Sequence, residues 1–289
     1  MQPIGALSLA PDVQDWLMGS HQPRILHIFD NACNLINERR EVLSIVAPEI
    51  GNGPFNLVVA DKILFSEHID VGSPVSIVGN QLTVGGLTID TTNAKLWDPR
   101  PDWELLHSKR IEIIGQITLL PISTYQPALP TDLPSTFSVS VASANLPACI
   151  PAARRLAGLG SGLTPAGDDF IMGALYAAWI IHPPGVASVL AQQIADTAAP
   201  LTASLSAAWL RSAGKGEAGI LWHEFFDALN SVGWTLAPGA SAGVANPTYA
   251  MNRILSVGET SGADALAGFT GVFRCWSENR SNLWEYNQT

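Results

Sequence analysis

Between residues 158 and 170 the chain reads Gly-Leu-Gly-Ser-Gly-Leu-Thr-Pro-Ala-Gly-Asp-Asp-Phe. Glycines at alternate positions, Gly158, Gly160 and Gly162, allow a backbone to approach a bound group closely, because no β-carbon stands in the way. Thr164 then suits a helix N-cap and Pro165 the first helical position, where proline is best tolerated. A glycine loop feeding a helix start aims several N–H groups at one point, the geometry that holds a phosphate or a carboxylate. Gly160, Ser161, Gly162, Leu163, Thr164 and Gly167 are the binding candidates. The run is not a Walker loop, since Gly-Lys-Ser/Thr is missing, and it does not match the dinucleotide fingerprint.

Two carboxylates follow at once. Asp168 and Asp169 fall in the first turn, where the helix dipole favours negative charge, and dipole complementation alone would account for one of them. Adjacent residues diverge by about 100° around a helix, so one aspartate faces the loop and the other a neighbour. A carboxylate beside an anion repels it unless a cation lies between. Mg²⁺ bridges carboxylates and phosphates in this way, with Asp168 and Asp169 as its candidate ligands. The setting recurs: Gly167-x-Asp169-x-x-x-Gly173 is matched by Gly262-x-Asp264-x-x-x-Gly268. Each copy puts an aspartate near a helix start and a glycine one turn later on the same face. Either the two helices touch at the glycines or a ligand lies between them. The expectation is that Asp169 and Asp264 share a pocket with the loop, together with a metal, an arginine or a shared proton. Asp168, Asp169 and Asp264 are the catalytic candidates.

The run G-x-G-S-G-L-T-P-x-G-D-D-F resembles the hallmark of a bacterial domain-of-unknown-function family that includes a subunit of oxamate carbamoyltransferase, an enzyme of allantoin catabolism. Three weaker elements are similar to the same family: Gly51-Asn52-Gly53-Pro54, the segment Thr202, Ser204 and Leu205, and Gly258-Glu259-Thr260-Ser261-Gly262-Ala263-Asp264. The resemblance spans about residues 30 to 275. It departs at Glu259, where the family pattern has histidine, so no imidazole role carries over. It implies carbamoyl transfer, with carbamoyl phosphate on one side and a small carboxylate or amide such as oxamate on the other. The loop would take the phosphate, with Ser161, Thr164, Thr202, Ser204, Ser261 and Gly262 completing the cradle. Catalysis would be mainly electrostatic and would need a cation. Arg154, Arg155, Lys215 and Arg253 are the cations nearest the motifs.

Other chemistry is poorly served. His27, His68, His107, His182 and His223 lack metal-ligand spacing. Cys33, Cys149 and Cys275 are far apart and read as free thiols of a cytoplasmic protein.

The elements that must position these residues differ between the two halves. Val75–Val78, Gln81–Val84 and Leu87–Asp90, separated by Gly79-Asn80 and Gly85-Gly86, predict a three-stranded meander. Ile25–Phe29, Val42–Ala47 and Phe55–Ala60 are further strands. Trp103 to Leu120 leans to helix, and Pro121 to Pro151, with six prolines, reads as an extended crossover. Helices are expected at Pro165–Ile181, Val186–Thr197, Leu201–Ala213, Glu217–Asn230, Asn246–Val257 and Gly262–Trp276, with Trp179, Trp209, Trp222 and Trp276 most simply in their core. The fold class is α+β: a β-rich N-terminal half, residues 1–145, packed against an all-helical C-terminal half, residues 146–289, that carries the loop and the aspartates.

Only 14% of the 289 residues are charged, against roughly 25% in an average soluble protein, and the net charge is −10. An acidic chain with no long basic run argues against nucleic acid and against an anionic membrane surface as partners. Its longest apolar run, Phe170 to Ile181, is too short to span a bilayer. So little charge implies an exposed apolar patch covered by further subunits, in a homo- or hetero-oligomer. Two functions fit: a carbamoyltransferase subunit that binds a small anionic substrate, or a non-catalytic anion-binding or scaffolding subunit.

Overall fold

A computed structural model describes residues 2–121, 125, 127–231 and 246–286, with side chains to residue 278. The chain divides into two compact units. The first holds Met1–Pro99 with Ala218–Ile220, and the second Arg100–Glu217 with Leu221–Thr289.

The first unit is built on nine strands: β1 (Ile4–Leu9), β2 (Arg24–Ile28), β3 (Ala32–Ile36), β4 (Val42–Val46), β5 (Asn56–Val59), β6 (Val75–Val78), β7 (Gln81–Val84), β8 (Leu87–Asp90) and β9 (Lys95–Leu96). The sheet order is β2-β3-β4-β5-β1-β8-β7-β6, and β9 pairs with the distal end of β1. The β6–β7–β8 meander forms as expected, with Val78 opposite Gln81 and Val84 opposite Leu87, and positive φ at Gly79 and Gly85. β1, β3 and β9 were not foreseen. β3 carries Asn34 inside the sheet, and such a residue breaks the apolar pattern of a strand. Its cost is offset by the Ser44 hydroxyl, which donates to Asn34 Oδ1 at 2.6 Å. Helix α1 (Pro11–Gly19) buries Val13 and Trp16 in the core, and the Trp16 indole donates to the Glu41 carbonyl at 2.9 Å. The short α2 (Phe65–His68) adds Phe65.

The second unit is helical throughout: α3 (Trp103–Ser108), α4 (Arg110–Ile117), α5 (Asp132–Ala142), α6 (Leu146–Leu156), α7 (Ala166–Ile181), α8 (Pro184–Ala198), α9 (Ser204–Gly214), α10 (Ile220–Asn230), α11 (Pro247–Leu255) and α12 (Ser261–Tyr286). The expected α+β organisation is therefore present, with a correction to its boundary. The division falls after Pro99 and not at residue 145, because α3 packs on α7 and α5 packs on α6 and α12. Most of the expected crossover is also helix, α5 and α6. Its prolines are tolerated because Pro134 and Pro147 lie in first turns, where no N–H partner is lost; Pro151 alone is interior.

α7 is the axis of this unit and is buried along nearly its whole length. It is crossed most closely by α12. A β-carbon built on Gly173 would overlap the Ala265 carbonyl oxygen, and one built on Gly268 would overlap that of Phe170. The second glycine of each repeated motif is thus where the other helix's backbone passes. An aromatic cluster of Trp103, Tyr176, Trp179, Trp222, Phe226 and Phe269 packs alongside. Trp179 and Trp222 are core, as expected, whereas Trp209 and Trp276 are only half-buried. All three cysteines are free. Among the described residues no helix is long and apolar enough to cross a membrane.

Candidate functional site

The segment between α6 and α7 is held by its own glycines. Gly158, Gly160 and Gly162 have φ of 71°, 120° and 97°, a region that other residues enter only with strain. Gly158 lies against the Leu201 carbonyl and Gly160 against the Ala166 N–H, whereas nothing lies within 4 Å of where a Gly162 β-carbon would stand. Gly160, Ser161 and Gly162 are exposed, and their N–H groups have no partner among the described residues.

The helix starts one residue later than expected. Pro165 is the N-cap and Ala166 the first helical residue, because the Thr164 hydroxyl turns away to Ser261 Oγ, 2.8 Å off. The first turn is closed by other means. The Asp168 and Asp169 N–H groups donate to the Pro165 carbonyl, and that of Gly167 donates to Leu159. Gly167 has a packing role, because a β-carbon there would overlap the Leu156 carbonyl. Gly262 repeats this at the start of α12, against the Ile254 carbonyl. At both, the missing β-carbon lets a helix begin against the end of the one before it.

The two adjacent aspartates part company as the helical geometry requires. Asp168 is 2% exposed and turns back to the loop. Its Oδ1 accepts from the Gly158 N–H at 2.8 Å and its Oδ2 from the Thr202 hydroxyl. The Ser206 hydroxyl, in α9, donates to the Leu163 carbonyl at 3.4 Å and lies beside this carboxylate. With its oxygens occupied by protein donors, Asp168 is a clamp on the loop. Thr202 belongs to that clamp. Ser204 opens α9, and Ser206, which sequence reasoning missed, is the helix residue that touches the loop.

Asp169 points the other way, toward α12. It is 5% exposed and lies beside the hydrogen-bonded hydroxyls of Thr164 and Ser261. Asp264, 1% exposed, accepts from the Tyr125 phenol at 2.9 Å and from Thr260. Each leaves its Oδ2 without a hydrogen-bond partner among the described residues. The carboxylates are close enough to feel one another. Burial, reinforced by the charges of Asp264 and Asp168, pushes Asp169 up to about 8, and burial also raises Asp168 and Asp264. Tyr125 was not anticipated, and it carries no local signal because it comes from the segment before α5.

The expected cations have these settings. Arg154 and Lys215 are exposed, Arg155 lies 3.5 Å from Asp132, and Arg253 pairs with Glu224. Among the described residues no group of three or more His, Cys, Asp or Glu side chains is arranged to hold a metal ion. Each oxygen of Asp168 already accepts one protein donor. Burial is the largest cause that raises each of the three carboxyl groups.

Residues 156–273 match the family model described as oxamate carbamoyltransferase subunit AllH, and residues 6–96 match that of the AllH family N-terminal domain. The chain belongs to the AllH family. No curated protein and no solved structure shows a significant match. The two AllH models divide the chain much as the two compact units do. The glycine loop, Thr202 and Asp264 all lie inside the AllH match, and the meander lies inside the AllH N-terminal match.

Proposed function

We propose that this chain is the carbamoyl-phosphate-binding subunit of a carbamoyltransferase. The observation that carries the reading is an exposed run of unpartnered N–H groups, Gly160 to Gly162, next to buried carboxylates in a chain of the AllH family. The phosphate takes the loop N–H groups and the hydroxyls of Ser161, Thr164 and Ser261. Asp168, Thr202 and Ser206 hold the loop in the conformation that presents those donors. The acceptor is a small amide-bearing carboxylate such as oxamate, and the reaction belongs to allantoin breakdown in the cytoplasm. Protons on the buried aspartates, in place of a cation, remove the repulsion an anion would otherwise meet.

Calorimetry with carbamoyl phosphate, and with inorganic phosphate as control, tests this on the full chain. Gly162→Ala adds a β-carbon into open space at φ 97°, so it disturbs the loop's conformation and nothing else. Loss of binding with unchanged thermal stability is expected; unchanged affinity refutes the loop as the anion site.

One observation favours a second reading. The expected cations are exposed or paired with acidic side chains, which suits a subunit that binds the anion while another chain completes the catalytic site. Carbamoyl transfer measured for the chain alone and with co-expressed subunits separates the two.

A further inference from the structure

Asp169 and Asp264 come from the two repeated motifs and have a setting that anion binding does not require. Both are more than nine-tenths buried, and each has an Oδ2 that no described residue bonds. They are held from opposite sides. The hydrogen-bonded hydroxyls of Thr164 and Ser261, 2.8 Å apart, flank Asp169. Tyr125 bonds Asp264 and also lines a cleft of about 630 Å³ with Phe170, Ala267 and Thr270. The pair therefore connects the loop to the cleft. Burial and the neighbouring charge of Asp264 both favour a proton on Asp169.

We infer that Asp169 and Asp264 form the proton-transfer pair for carbamoyl transfer at an amide nitrogen, with Tyr125 as the residue that positions Asp264. This rests on the carbamoyl-transfer reading above. In the direction that cleaves an N-carbamoyl amide, a phosphate oxygen attacks the carbamoyl carbon. The C–O bond forms, the C–N bond breaks, and its electron pair goes to nitrogen. An amide nitrogen leaves poorly unless a proton arrives with that pair. The carboxylic acid of the pair donates it. The proton that hydrogenphosphate loses on becoming an acyl phosphate passes to the carboxylate and restores the pair. Free amide and carbamoyl phosphate are the products, and the reverse reaction uses the same groups in opposite roles. The ionisable groups bearing on Asp169 are Asp168, Asp264 and Tyr125, with no lysine, arginine or histidine among them. A group raised to about 8 by burial is well placed to trade protons near neutral pH.

The full chain, assembled with its co-expressed subunits, is assayed with N-carbamoyl oxamate and phosphate from about pH 6 to about pH 10, and carbamoyl phosphate binding is followed by calorimetry. Asp169→Asn is expected to lower kcat by about 10²-fold or more while the Kd for carbamoyl phosphate stays within about threefold. Wild-type rate should fall as pH rises through the pair's upper titration. Tyr125→Phe should move that limb to higher pH with binding retained, because the lost O–H donor had stabilised the charged carboxylate. If the wild type turns over and Asp169→Asn keeps a kcat within about threefold of it, the proton-transfer role is overturned and carbamoyl transfer stands. An unmoved limb in Tyr125→Phe overturns its positioning role, and that variant decides the matter if Asp169→Asn does not fold. A wild-type complex with neither turnover nor binding overturns the carbamoyl-transfer reading and this inference together.

Discussion

At the scale of single residues, adjacent aspartates do opposite things because a helix turns them apart. Asp168 is satisfied by the Gly158 N–H and the Thr202 hydroxyl. Thr202→Val, which keeps the shape and removes the donor, should leave a buried oxygen bare and cost about 1–3 kcal/mol in denaturant unfolding. A change under about 0.5 kcal/mol would show that the clamp is not made. Asp169 makes a prediction of the opposite kind. Burial raises its carboxyl in the folded chain to about 8 from the ordinary 3.8. The unfolded chain therefore ionises first, and the stability that Asp169 contributes is complete below about pH 4 and is lost as pH rises toward about 8. Asp169→Asn removes this titration. Melting temperatures at about pH 5 and about pH 8.5 should fall less between the two conditions for the variant than for the wild type. Each 1 kcal/mol of difference is roughly 2–4 °C for a unit of this size. Equal falls would mean that Asp169 is ionised in the folded state.

Among the helices, the repeated glycines mark the crossing of α7 and α12. Gly173 and Gly268 each meet backbone of the opposing helix, and backbone cannot swing aside as a side chain can. Gly173→Ala should therefore separate the helices and destabilise the unit by more than the roughly 1 kcal/mol that alanine gains over glycine in a helix. Gly115, exposed within α4 with nothing near its would-be β-carbon, is the contrasting case. There the same substitution should stabilise by up to about 1 kcal/mol. Chemical denaturation of both variants checks the pair, and similar ΔΔG values would refute the close-packing account. The crossing also sets the site, since it is what brings Asp264 and Ser261 of one repeat to Asp169 and Thr164 of the other.

The whole molecule is poor in charge, at 14% Asp, Glu, Lys and Arg, and belongs to a family named for a subunit. Large apolar side chains remain exposed on the helical unit, among them Ile111, Leu119, Val139 and Val189. Association with a second copy or with other subunits is the expected use of that surface. Because apolar burial and not ion pairing would drive it, light scattering after size exclusion should show an assembly that persists at about 1 M salt. A monodisperse monomer at high concentration would count against it.

Much of this was legible before any coordinates. The meander was readable because its strands alternate and its turns carry glycine where φ must be positive. The helices after residue 165 were readable from their Ala-rich texture and their Pro and Gly stops. The loop and its two aspartates were readable because a glycine run before a helix start is a local signal. What stayed hidden depends on distance in the chain. β3 conceals itself behind Asn34, whose polarity is answered only by Ser44 on the neighbouring strand. The late start of α7 depends on Ser261, 97 residues away, which draws the Thr164 hydroxyl off the cap. The repeated motif left open whether its glycines served packing or a ligand, and the structure shows packing at all four. Tyr125 became visible only in three dimensions. Sequence carries the backbone's local preferences, whereas the partners of a buried oxygen are settled by which helices cross.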